Sequence, residues 1–340
     1  MARRWKKFVG TTVFLILALL IVGITFTVGW RPFIGPKTRP LTNRTFEATP
    51  ARLERGTYLV NAVYGCFVCH SERDRSLPEW PPRADKLGAG TIFGSDGAEL
   101  PGQLVAPNLT PDKETGTGDW SDDALARAIR EGIGNDGRAL FPLMPYLNYK
   151  DMPDEDLASV IVYLRSLAPV KNALPKSAII FPVKYLIRSA PQPITSPIAE
   201  PDLSNPVKHG QYLTQMASCA DCHTAQERGQ PKPGLELAGG LLFKRPNATV
   251  MAANITPDTS AISYYDEDLF LQAIRTGKVK ARNINPIMPW CLYRNMTDED
   301  LKAIFAYLRT VKAVKHTVDN TEGPTLCKVC GLTHGGGERN

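Results

Sequence analysis

The spacing of hydrophobic and polar positions changes several times along this chain of 340 residues, and the first change marks a membrane segment. Phe8–Trp30 is a stretch of 23 residues without a charged side chain. A helix of this length crosses the hydrocarbon core of a bilayer. Basic residues precede the stretch and a tryptophan stands at each end, which predicts a retained span with its N-terminus in the cytoplasm. These flanking residues are Arg3, Arg4, Trp5, Lys6, Lys7 and Trp30. A cleaved secretory signal is the alternative.

Beyond residue 50 the apolar positions recur at intervals of three and four residues, the spacing of an amphipathic helix. Two segments show this spacing after an acidic start, which suits the positive end of a helix dipole. Their apolar positions are Leu157, Val160, Ile161 and Leu164, and Leu301, Ile304, Phe305 and Leu308. Thr297 is the expected cap of the second, and another helix is predicted over Ala124–Arg130 with Gly132 as its stop. Because no long alternating pattern appears, we predict an all-α chain.

Six short motifs occur twice in the same order, which identifies an internal repeat. The first copies are Gly56–Leu59, Cys66–His70, Asn108–Asp112, Met144–Tyr146, Asp154–Leu157 and Tyr163–Arg165. The second copies are Gly210–Leu213, Cys219–His223, Asn254–Asp258, Met288–Trp290, Asp298–Leu301 and Tyr307–Arg309. The offset falls from 153 residues at the two histidines to 144 at the two methionines, so the second copy is shorter. The missing residues correspond mainly to the Pro/Gly-rich segment 77–107, which we interpret as a loop.

A high density of proline separates the two repeats and excludes a continuous helix there. We predict six segments, of which the connector is extended. They are an anchor (1–31), a periplasmic linker (32–50), a first domain (51–172), a Pro-rich linker (173–205), a second domain (206–316) and a cysteine-containing tail (317–340). Two apolar islands in the Pro-rich linker, Ile179–Phe181 and Tyr185–Ile187, either pack between the domains or contact a partner or membrane surface.

The charge distribution excludes a nucleic-acid binder. Residues 1–50 contain eight Lys/Arg and one acid, and so carry +7, whereas the whole chain carries +6. The remaining 290 residues therefore carry a net charge of −1, and the basic excess belongs to the membrane-proximal end.

Two pentapeptides of the form Cys-x-x-Cys-His carry the most specific chemistry, because this is the attachment site of a c-type haem. The two thiols add across the haem vinyl groups and the histidine ligates the iron. Zinc binding needs four converging ligands, and neither motif has a second Cys/His cluster of its own. We therefore predict two covalent haem c groups. Their thioether residues are Cys66, Cys69, Cys219 and Cys222, and their proximal ligands are His70 and His223.

Each repeat also contains a methionine flanked by prolines, Met144 in the first and Met288 in the second. A thioether opposite the histidine raises the reduction potential of a c-type haem, and we predict these two methionines as the second axial ligands. Met152 and Met296 also match across the repeats but precede a helix, where an apolar residue packs against the cap. His209 and His316 are the alternative axial ligands.

The ordered motifs resemble the class I cytochrome c domains of the membrane-bound cytochrome subunits of alcohol, aldehyde and gluconate dehydrogenases. The resemblance covers roughly residues 52–316. It implies two tandem class I cytochrome c domains, axial pairs His70/Met144 and His223/Met288, and a periplasmic electron-relay role. Those subunits usually carry three haem domains and a C-terminal anchor, whereas this sequence shows two repeats and an N-terminal apolar segment.

The remaining cysteines allow several interpretations. Cys327 and Cys330 form a Cys-x-x-Cys without a following histidine, and Cys291 is the seventh cysteine. A disulfide among these three suits an oxidising compartment. A structural metal held by Cys327, Cys330 and His334, with Cys291 or His316 as the fourth ligand, is the second interpretation. Free thiols or a degenerate attachment site are the third.

An iron closed on both sides suits electron transfer and not catalysis. We therefore predict a dihaem cytochrome anchored in the bacterial cytoplasmic membrane, with its haem domains in the periplasm. It carries electrons from a dehydrogenase or quinol-oxidising complex to a downstream carrier, oxidase or reaction centre. The alternatives are an electron-transfer subunit within a dehydrogenase complex, a dihaem peroxidase-type enzyme, and a structural subunit whose haems lie off the electron path.

Overall fold

Helices dominate the architecture. The computed structural model describes residues 2–93, 100–227, 229–245 and 248–340. Its α-helices are α1 (Ala2–Phe26), α2 (Arg31–Ile34), α3 (Pro50–Tyr58), α4 (Cys66–Cys69), α5 (Asp122–Glu131), α6 (Tyr146–Tyr149), α7 (Asp154–Ser166), α8 (Val183–Leu186), α9 (Pro206–Met216), α10 (Cys219–His223), α11 (Glu267–Thr276), α12 (Trp290–Tyr293) and α13 (Asp298–Leu308). A π-helical turn, Leu59–Val63, extends α3, and short 3-10 turns lie at Ala84–Lys86, Ile187–Ser189 and Gly337–Arg339.

Short antiparallel strands, which the sequence pattern did not predict, lie between the helices. They are β1 (Thr91–Phe93), β2 (Gly102–Ala106), β3 (Ala178–Ile179), β4 (Gln226–Glu227), β5 (Gln230–Pro231), β6 (Leu242–Arg245), β7 (Ala248–Met251), β8 (Lys278–Val279), β9 (Arg282–Asn283), β10 (Pro324–Leu326) and β11 (Thr333–Gly335). β1, β2 and β3 form one sheet, and the others pair as hairpins. Helices α5, α7, α9, α11 and α13 contribute many of the buried apolar side chains, but the strands between the helices depart from the all-α prediction.

The apolar stretch near the N-terminus forms the long helix α1, as predicted. Its segment Arg4–Phe26 is long and apolar enough to cross a membrane, with a mean hydropathy of 2.5, and its side chains are not buried against the rest of the chain. Thr11, Thr12 and Thr25 interrupt the apolar sequence, but each hydroxyl donates to the carbonyl four residues earlier. These polar side chains are therefore satisfied inside the helix itself.

Each repeat is held together by the crossing of its first and last helices, and a glycine sits at each crossing. A Cβ atom at Gly56 of α3 would overlap the backbone carbonyl of Ser159 in α7. In the second repeat, a Cβ atom at Gly210 of α9 would overlap the carbonyl of Ala303 in α13. The glycine of the repeated Gly-x-Tyr-Leu motif is thus required because the two helix backbones touch there.

The predicted helix boundaries follow the capping residues. Ser121 accepts a hydrogen bond from the backbone N–H of Ala124 at the start of α5, and Gly132 ends that helix in the left-handed conformation, at φ 70°. Thr297 accepts from the N–H of Asp300 at the start of α13, as predicted. Met152 and Met296 are fully buried, which confirms their assignment to the core.

The two repeats contact each other through a reciprocal tyrosine–aspartate exchange. Tyr58 of the first repeat donates to Asp300 of the second, and Tyr212 of the second donates to Asp156 of the first, at 2.8 Å. Each aspartate also pairs with a basic side chain of its own repeat, Arg55 with Asp156 at 2.8 Å and His209 with Asp300 at 3.0 Å. His209 is therefore engaged at this interface and not at a haem site.

The Pro-rich linker folds back onto the first repeat, on the side where α2 lies. β3 pairs with β2, and α8 packs against α2, which follows the long helix α1. Ile180 and Phe181 stay exposed, at 55% and 78%, so this part of the first apolar island does not fill a groove between the domains.

Candidate haem-binding sites

Both attachment motifs begin with a residue in the left-handed conformation. Gly65 (φ 66°) precedes the first cysteine of α4, and Ser218 (φ 56°) precedes the first cysteine of α10. This residue turns the chain from the end of the preceding helix into a single turn of helix. Within one turn, residues three apart lie on the same face, so both cysteines of a motif face the same side. The predicted attachment residues are therefore arranged to reach one edge of one ligand.

The thiols of both motifs lie in a desolvating environment. Burial raises the pKa of the Cys66 and Cys219 thiols to about 12, and that of the Cys222 thiol to about 12 as well. Burial also raises the pKa of Cys69. Reduced thiols at these positions are consequently neutral at physiological pH.

The two histidines are oriented by the same backbone contact. The Nδ1 atom of His70 lies 2.8 Å from the carbonyl oxygen of Pro107, and that of His223 lies 2.6 Å from the carbonyl oxygen of Ala253. A carbonyl only accepts, so Nδ1 carries the proton and Nε2 is left with its lone pair. Burial lowers the pKa of both histidines, which favours the neutral ring. A neutral imidazole held through Nδ1 is the form that ligates iron.

The repeated Asn-x-Thr motif, to which the sequence alone assigned no role, rigidifies the loop that supplies this carbonyl. Asn108 follows Pro107 and accepts from the backbone N–H of Thr110 at 2.9 Å and from its hydroxyl at 2.8 Å. Its amide also donates to the carbonyl of Val170 at 2.7 Å. In the second repeat Asn254 makes the same contacts with Thr256 and Val314, at 2.9, 2.8 and 2.8 Å. The motif therefore fixes the acceptor of the histidine.

The Pro-flanked methionines line the same cavity as the histidines. Met144 and Met288 are half-buried, and each lies in a tight turn. The backbone N–H of Met144 donates to the carbonyl of Phe141 at 3.1 Å, and that of Met288 donates to the carbonyl of Asn285 at 3.0 Å. The aromatic residue two positions later packs on a helix-ending glycine, because a Cβ at Gly132 would lie 2.6 Å from the Tyr146 ring. Close packing of this kind holds the methionine loop in place.

Two tyrosines join the methionine side of each site to the attachment side. The hydroxyl of Tyr149 donates to the carbonyl of Tyr64 at 2.5 Å, two residues before the first attachment cysteine. The hydroxyl of Tyr293 donates to the carbonyl of Ala217 at 2.7 Å, at the equivalent place in the second repeat. These residues match across the repeats, but their partners lie 85 and 76 residues away, so the sequence pattern did not reveal their role.

All eight predicted haem residues line one continuous cavity. They are Cys66, Cys69, His70, Met144, Cys219, Cys222, His223 and Met288. The cavity measures about 3560 Å³, whereas pockets for ordinary small molecules measure ~300–1,000 Å³. It therefore accommodates more than one large group.

The cavity wall also contains an unpaired polar group. The indole N–H of Trp290 is buried and has no acceptor among the described residues. An unpaired buried donor costs free energy unless a bound group accepts from it. This donor, the paired thiols and the oriented Nε2 atoms together fit haem c, whose carboxylates are acceptors.

The two attachment helices lie close to each other across the boundary between the repeats. Asn148, which follows the first methionine loop, donates to Ser218 and Asp221 of the second attachment motif, both at 3.0 Å. Burial, the Asp221 carboxylate and the Cys69 thiol all raise the pKa of the Cys222 thiol, so the first motif lies in the neighbourhood of the second. The attachment edges of the two sites thus face a shared region of the cavity.

Of the three cysteines outside these motifs, Cys327 and Cys330 lie together and Cys291 lies apart from them. All seven cysteines are among the described residues, and no two of them are joined by a disulfide there. Cys327, Cys330 and His334 form a buried cluster in the tail, but the fourth member is His316 and not Cys291. Cys291 instead lies 4.0 Å from a guanidinium nitrogen of Arg73. Of the two fourth ligands that the sequence left open, the structure therefore brings His316 to the tail cluster, while Cys291 lies beside Arg73.

Comparison with known proteins identifies the fold of the second repeat. The cytochrome c family model matches residues 207–312. The second repeat is a cytochrome c domain. The chain is also similar to the fructose dehydrogenase cytochrome subunit of Gluconobacter japonicus, with 31% identity over 290 residues that cover 78% of this chain and 55% of that protein. The resemblance to cytochrome c subunits of dehydrogenases, inferred from the motifs, is thereby confirmed.

Two further relatives differ in how much of their length is matched. A dihaem c-type cytochrome of Cereibacter sphaeroides shares 28% identity over 293 residues, which cover 82% of this chain and 93% of that protein. A nicotinate dehydrogenase polypeptide of Pseudomonas putida shares 29% identity over 327 residues, 90% of this chain but 25% of that protein. The chain thus spans only about a quarter to a half of the two dehydrogenase subunits, but nearly all of the dihaem cytochrome.

Proposed function

We propose that this chain is a membrane-anchored dihaem c-type cytochrome that passes electrons between a dehydrogenase or quinol-oxidising donor and a downstream carrier, oxidase or reaction centre. The observation that carries the proposal is the duplication of one complete site. Each repeat has two thiols on one helical turn, a histidine held through Nδ1 by a backbone carbonyl, and a methionine on a stiffened loop of the same cavity.

Two haem c groups and two tandem class I cytochrome c domains follow from this duplication. The family model covers the second repeat, and the first repeat supports the same assignment through equivalent contacts at Asn108, Tyr149 and His70. The dihaem relative, nearly all of which is matched, supports the count. The proposed domain boundaries remain 51–172 and 206–316, with the linker 173–205 between them.

The residues of each site hold the electron-carrying group in one fixed coordination. Haem c supplies a one-electron change between ferric and ferrous iron. The cysteine pair of each repeat would attach the haem covalently, and Nε2 of the histidine and the methionine sulfur would hold its iron. Hydrogen bonds from Tyr149 and Tyr293 connect the methionine side of each site to its attachment motif. The ligand positions would therefore change little when the iron is oxidised or reduced.

The long helix α1 serves as the anchor in this proposal, and the haem domains lie in the periplasm. Exposed apolar side chains continue past the helix at Phe33 and Ile34 of α2 and at Phe181 of the linker. Arg188 donates to the carbonyl of Pro32 at 3.0 Å and ties the linker to this region. Apolar side chains next to a span suit a bilayer surface. N-terminal sequencing of the mature protein tests the anchor, since a cleaved signal would leave a new N-terminus after about residue 30.

A subunit role within a dehydrogenase complex is the second candidate, favoured by the names of the relatives. Solubilisation of membranes in mild detergent, followed by identification of the co-purifying chains, separates the two possibilities. A stoichiometric dehydrogenase polypeptide favours the subunit, and its absence favours the free carrier.

Reaction with small molecules tests the electron-transfer role against a dihaem peroxidase. A peroxidase needs one iron with an open or labile axial position, whereas both repeats here offer the same His/Met pair. We expect no rapid spectral change when carbon monoxide is added to the reduced protein or peroxide to the oxidised protein. A fast change at one of the two haems would favour the enzyme and contradict the proposal.

A further inference from the structure

Four potential metal ligands converge where the tail meets the second repeat. They are His316, Cys327, Cys330 and His334. All four residues are buried, and their ligand atoms all lie within 4.8 Å of one another. The cluster is separate from the haem residues, because none of these four side chains lines the haem cavity. Buried polar groups require an interaction partner, and four ligand atoms this close together can share a single metal ion.

The two cysteines of the tail lie on one tight turn. Cys327 and Cys330 lie in the turn between β10 and β11, and His334 lies on β11. The backbone N–H of Cys330 and the side-chain amide of Asn340 both point to the sulfur of Cys327, at 3.5 Å. Donors directed at one sulfur stabilise a thiolate, which is the form that binds a metal.

The imidazole rings of His316 and His334 face each other through their Nε2 atoms. Nδ1 of His316 lies 2.6 Å from the carbonyl of Ala238, and Nδ1 of His334 lies 2.9 Å from the carbonyl of Gly335. Since each carbonyl accepts, each neutral ring leaves Nε2 unprotonated, yet the two Nε2 atoms are only 3.3 Å apart. Two lone pairs at this distance repel unless a proton or a metal ion lies between them. In a tetrahedral zinc site with Zn–N bonds of ~2.0–2.1 Å, two nitrogens are separated by about 3.3 Å.

The first repeat provides an internal comparison for His316. The equivalent residue there is Asn172, whose side-chain amide donates to the carbonyl of Ala89 at 2.8 Å, as His316 does to Ala238. An asparagine is therefore sufficient to hold this part of the fold. A histidine at the same place adds one feature, an Nε2 atom directed at the tail cysteines, which a purely structural hydrogen bond does not require.

We propose that His316, Cys327, Cys330 and His334 bind one zinc ion in a tetrahedral Cys₂His₂ site that fastens the tail to the second repeat. Two sulfur and two imidazole ligands are a typical donor set of structural zinc. Binding releases the two thiol protons and leaves a neutral complex. An apolar shell surrounds the site and shields it from solvent. This shell includes Ala225, Leu235, Ala238, Val314, Val329 and Leu332.

The zinc site also supports the second haem site, an extension that rests on the proposed function. Ala238, which accepts from His316, is followed by Gly239, whose N–H donates to the backbone carbonyl of His223 at 2.7 Å. Asn254 donates to the carbonyl of His316 at 3.1 Å and lies next to Ala253, which orients the His223 ring. Loss of the metal is therefore expected to disturb the second haem and to spare the first.

A disulfide between Cys327 and Cys330 is the competing arrangement. It would remove both thiolates and leave the Nε2 atoms of His316 and His334 facing each other without a cation. The convergence of the two rings thus favours the metal over the disulfide that the tail cysteines alone suggest.

Elemental analysis of the full-length protein, purified in mild detergent without chelators, tests the proposal. We expect one zinc for every two irons, and zinc-edge X-ray absorption with two sulfurs at ~2.3 Å and two nitrogens at ~2.0 Å. Two irons without zinc, a mapped Cys327–Cys330 disulfide, or a zinc shell of other composition would overturn the zinc site. Fewer than two irons would instead contradict the proposed function, so the two failures are distinguishable.

The variant His316→Asn copies the first repeat and separates metal binding from folding. It keeps a donor for Ala238 but removes one of the four zinc ligands, so the protein should retain less zinc while both haems stay covalently attached. His209→Gln is the matched control, because His209 pairs with Asp300 outside the cluster. Retention of full zinc by His316→Asn would contradict the ligand assignment.

Proteolysis of the unmodified protein gives a second readout that does not depend on a variant. Lys328 is exposed between the two cysteines but lies in a segment that zinc would hold rigid. Removal of zinc by a chelator should accelerate tryptic cleavage at Lys328 and leave the cleavage rates in the first repeat unchanged. An unchanged rate at Lys328 after verified zinc removal would argue against a role in fastening the tail.

Discussion

At the residue scale, the neighbours of each haem-site histidine determine which of its two ring nitrogens is left free. The carbonyls of Pro107 and Ala253 take the Nδ1 protons of His70 and His223, so Nε2 is directed to the cavity. The attachment cysteines and both histidines could be predicted from the pentapeptides alone. The carbonyl acceptors could not, because they lie 37 and 30 residues away along the chain and are brought near only by folding.

Removal of the predicted thioether ligand should open one haem and not the other. In Met144→Ala the first iron loses its second axial ligand, so carbon monoxide should bind about half of the reduced haem, and Met288→Ala should open the other half. The measurement is the optical spectrum of the reduced protein before and after addition of the gas.

Met152→Leu is the matched control, because Met152 is buried in the core and the change nearly conserves volume. If Met144→Ala stayed closed to carbon monoxide while Met152→Leu became reactive, the ligand assignment would be wrong.

Ionisation of Tyr58, at the boundary between the repeats, should make the free energy of unfolding depend on pH. Burial and the hydrogen bond to Asp300 raise the pKa of Tyr58 to about 12 from its usual value of 10. The folded state therefore holds its proton more tightly than the unfolded state. The stabilisation is complete below pH 10 and is lost as the pH rises from 10 towards 12.

The measurement is the free energy of unfolding in urea across this pH range. Tyr58→Phe should show a shallower decline, because it has no phenolic proton to lose. Parallel declines in the two proteins would show that the Tyr58 hydroxyl is not the titrating group.

At the element scale, the helices were predictable where local chemistry determines them. Ser121, Gly132 and Thr297 mark the ends of α5 and α13 by capping, which depends on neighbouring residues only. The strands were not predictable, since segments of two to five residues such as β2 are defined by pairing and not by a periodic pattern. The role of Gly56 and Gly210 could not be predicted either, because it depends on which helix packs against each glycine.

Addition of a methyl group at a helix crossing should destabilise its own repeat. In Gly56→Ala the new Cβ would overlap the carbonyl of Ser159, so α3 and α7 must move apart. Overpacking of this kind lowers the free energy of unfolding by ~1–3 kcal/mol, which denaturant titration of the holoprotein measures. Gly323→Ala is the control, because a Cβ there meets no atom within 4 Å. Equal stability of the two variants would contradict the close crossing.

At the scale of the whole molecule, the two repeats line one cavity and are joined by hydrogen bonds from Tyr58 and Tyr212. They therefore pack as one unit and not as two separate domains. The sequence showed the duplication and its order. It did not show that Tyr58 and Tyr212 reach across to the aspartate of the other repeat, because that requires the relative orientation of the domains. Cys291 illustrates the same limit, since nearness in sequence to the methionine loop did not bring it to the tail cluster.

Loss of one exchanged hydrogen bond should weaken the contact between the repeats. Tyr212→Phe removes a donor to the buried carboxylate of Asp156, and a hydrogen bond to a charged group contributes ~1.5–3 kcal/mol. Denaturant unfolding of the holoprotein should show a loss of this size. Tyr264→Phe is the control, because it removes a tyrosine hydroxyl at a more exposed position whose partner, Tyr265, lies in the same repeat, and it should cost less. A neutral effect of Tyr212→Phe would mean that the exchange does not stabilise the pair.

The central claim is that each repeat covalently holds its own haem c. Intact-mass spectrometry of the full-length protein, purified from membranes, counts the attached groups directly. We expect the mass of the polypeptide plus two haems, and the mass of the polypeptide plus one haem when Cys219 and Cys222 are both replaced by alanine. A wild-type mass with one haem or none would contradict it.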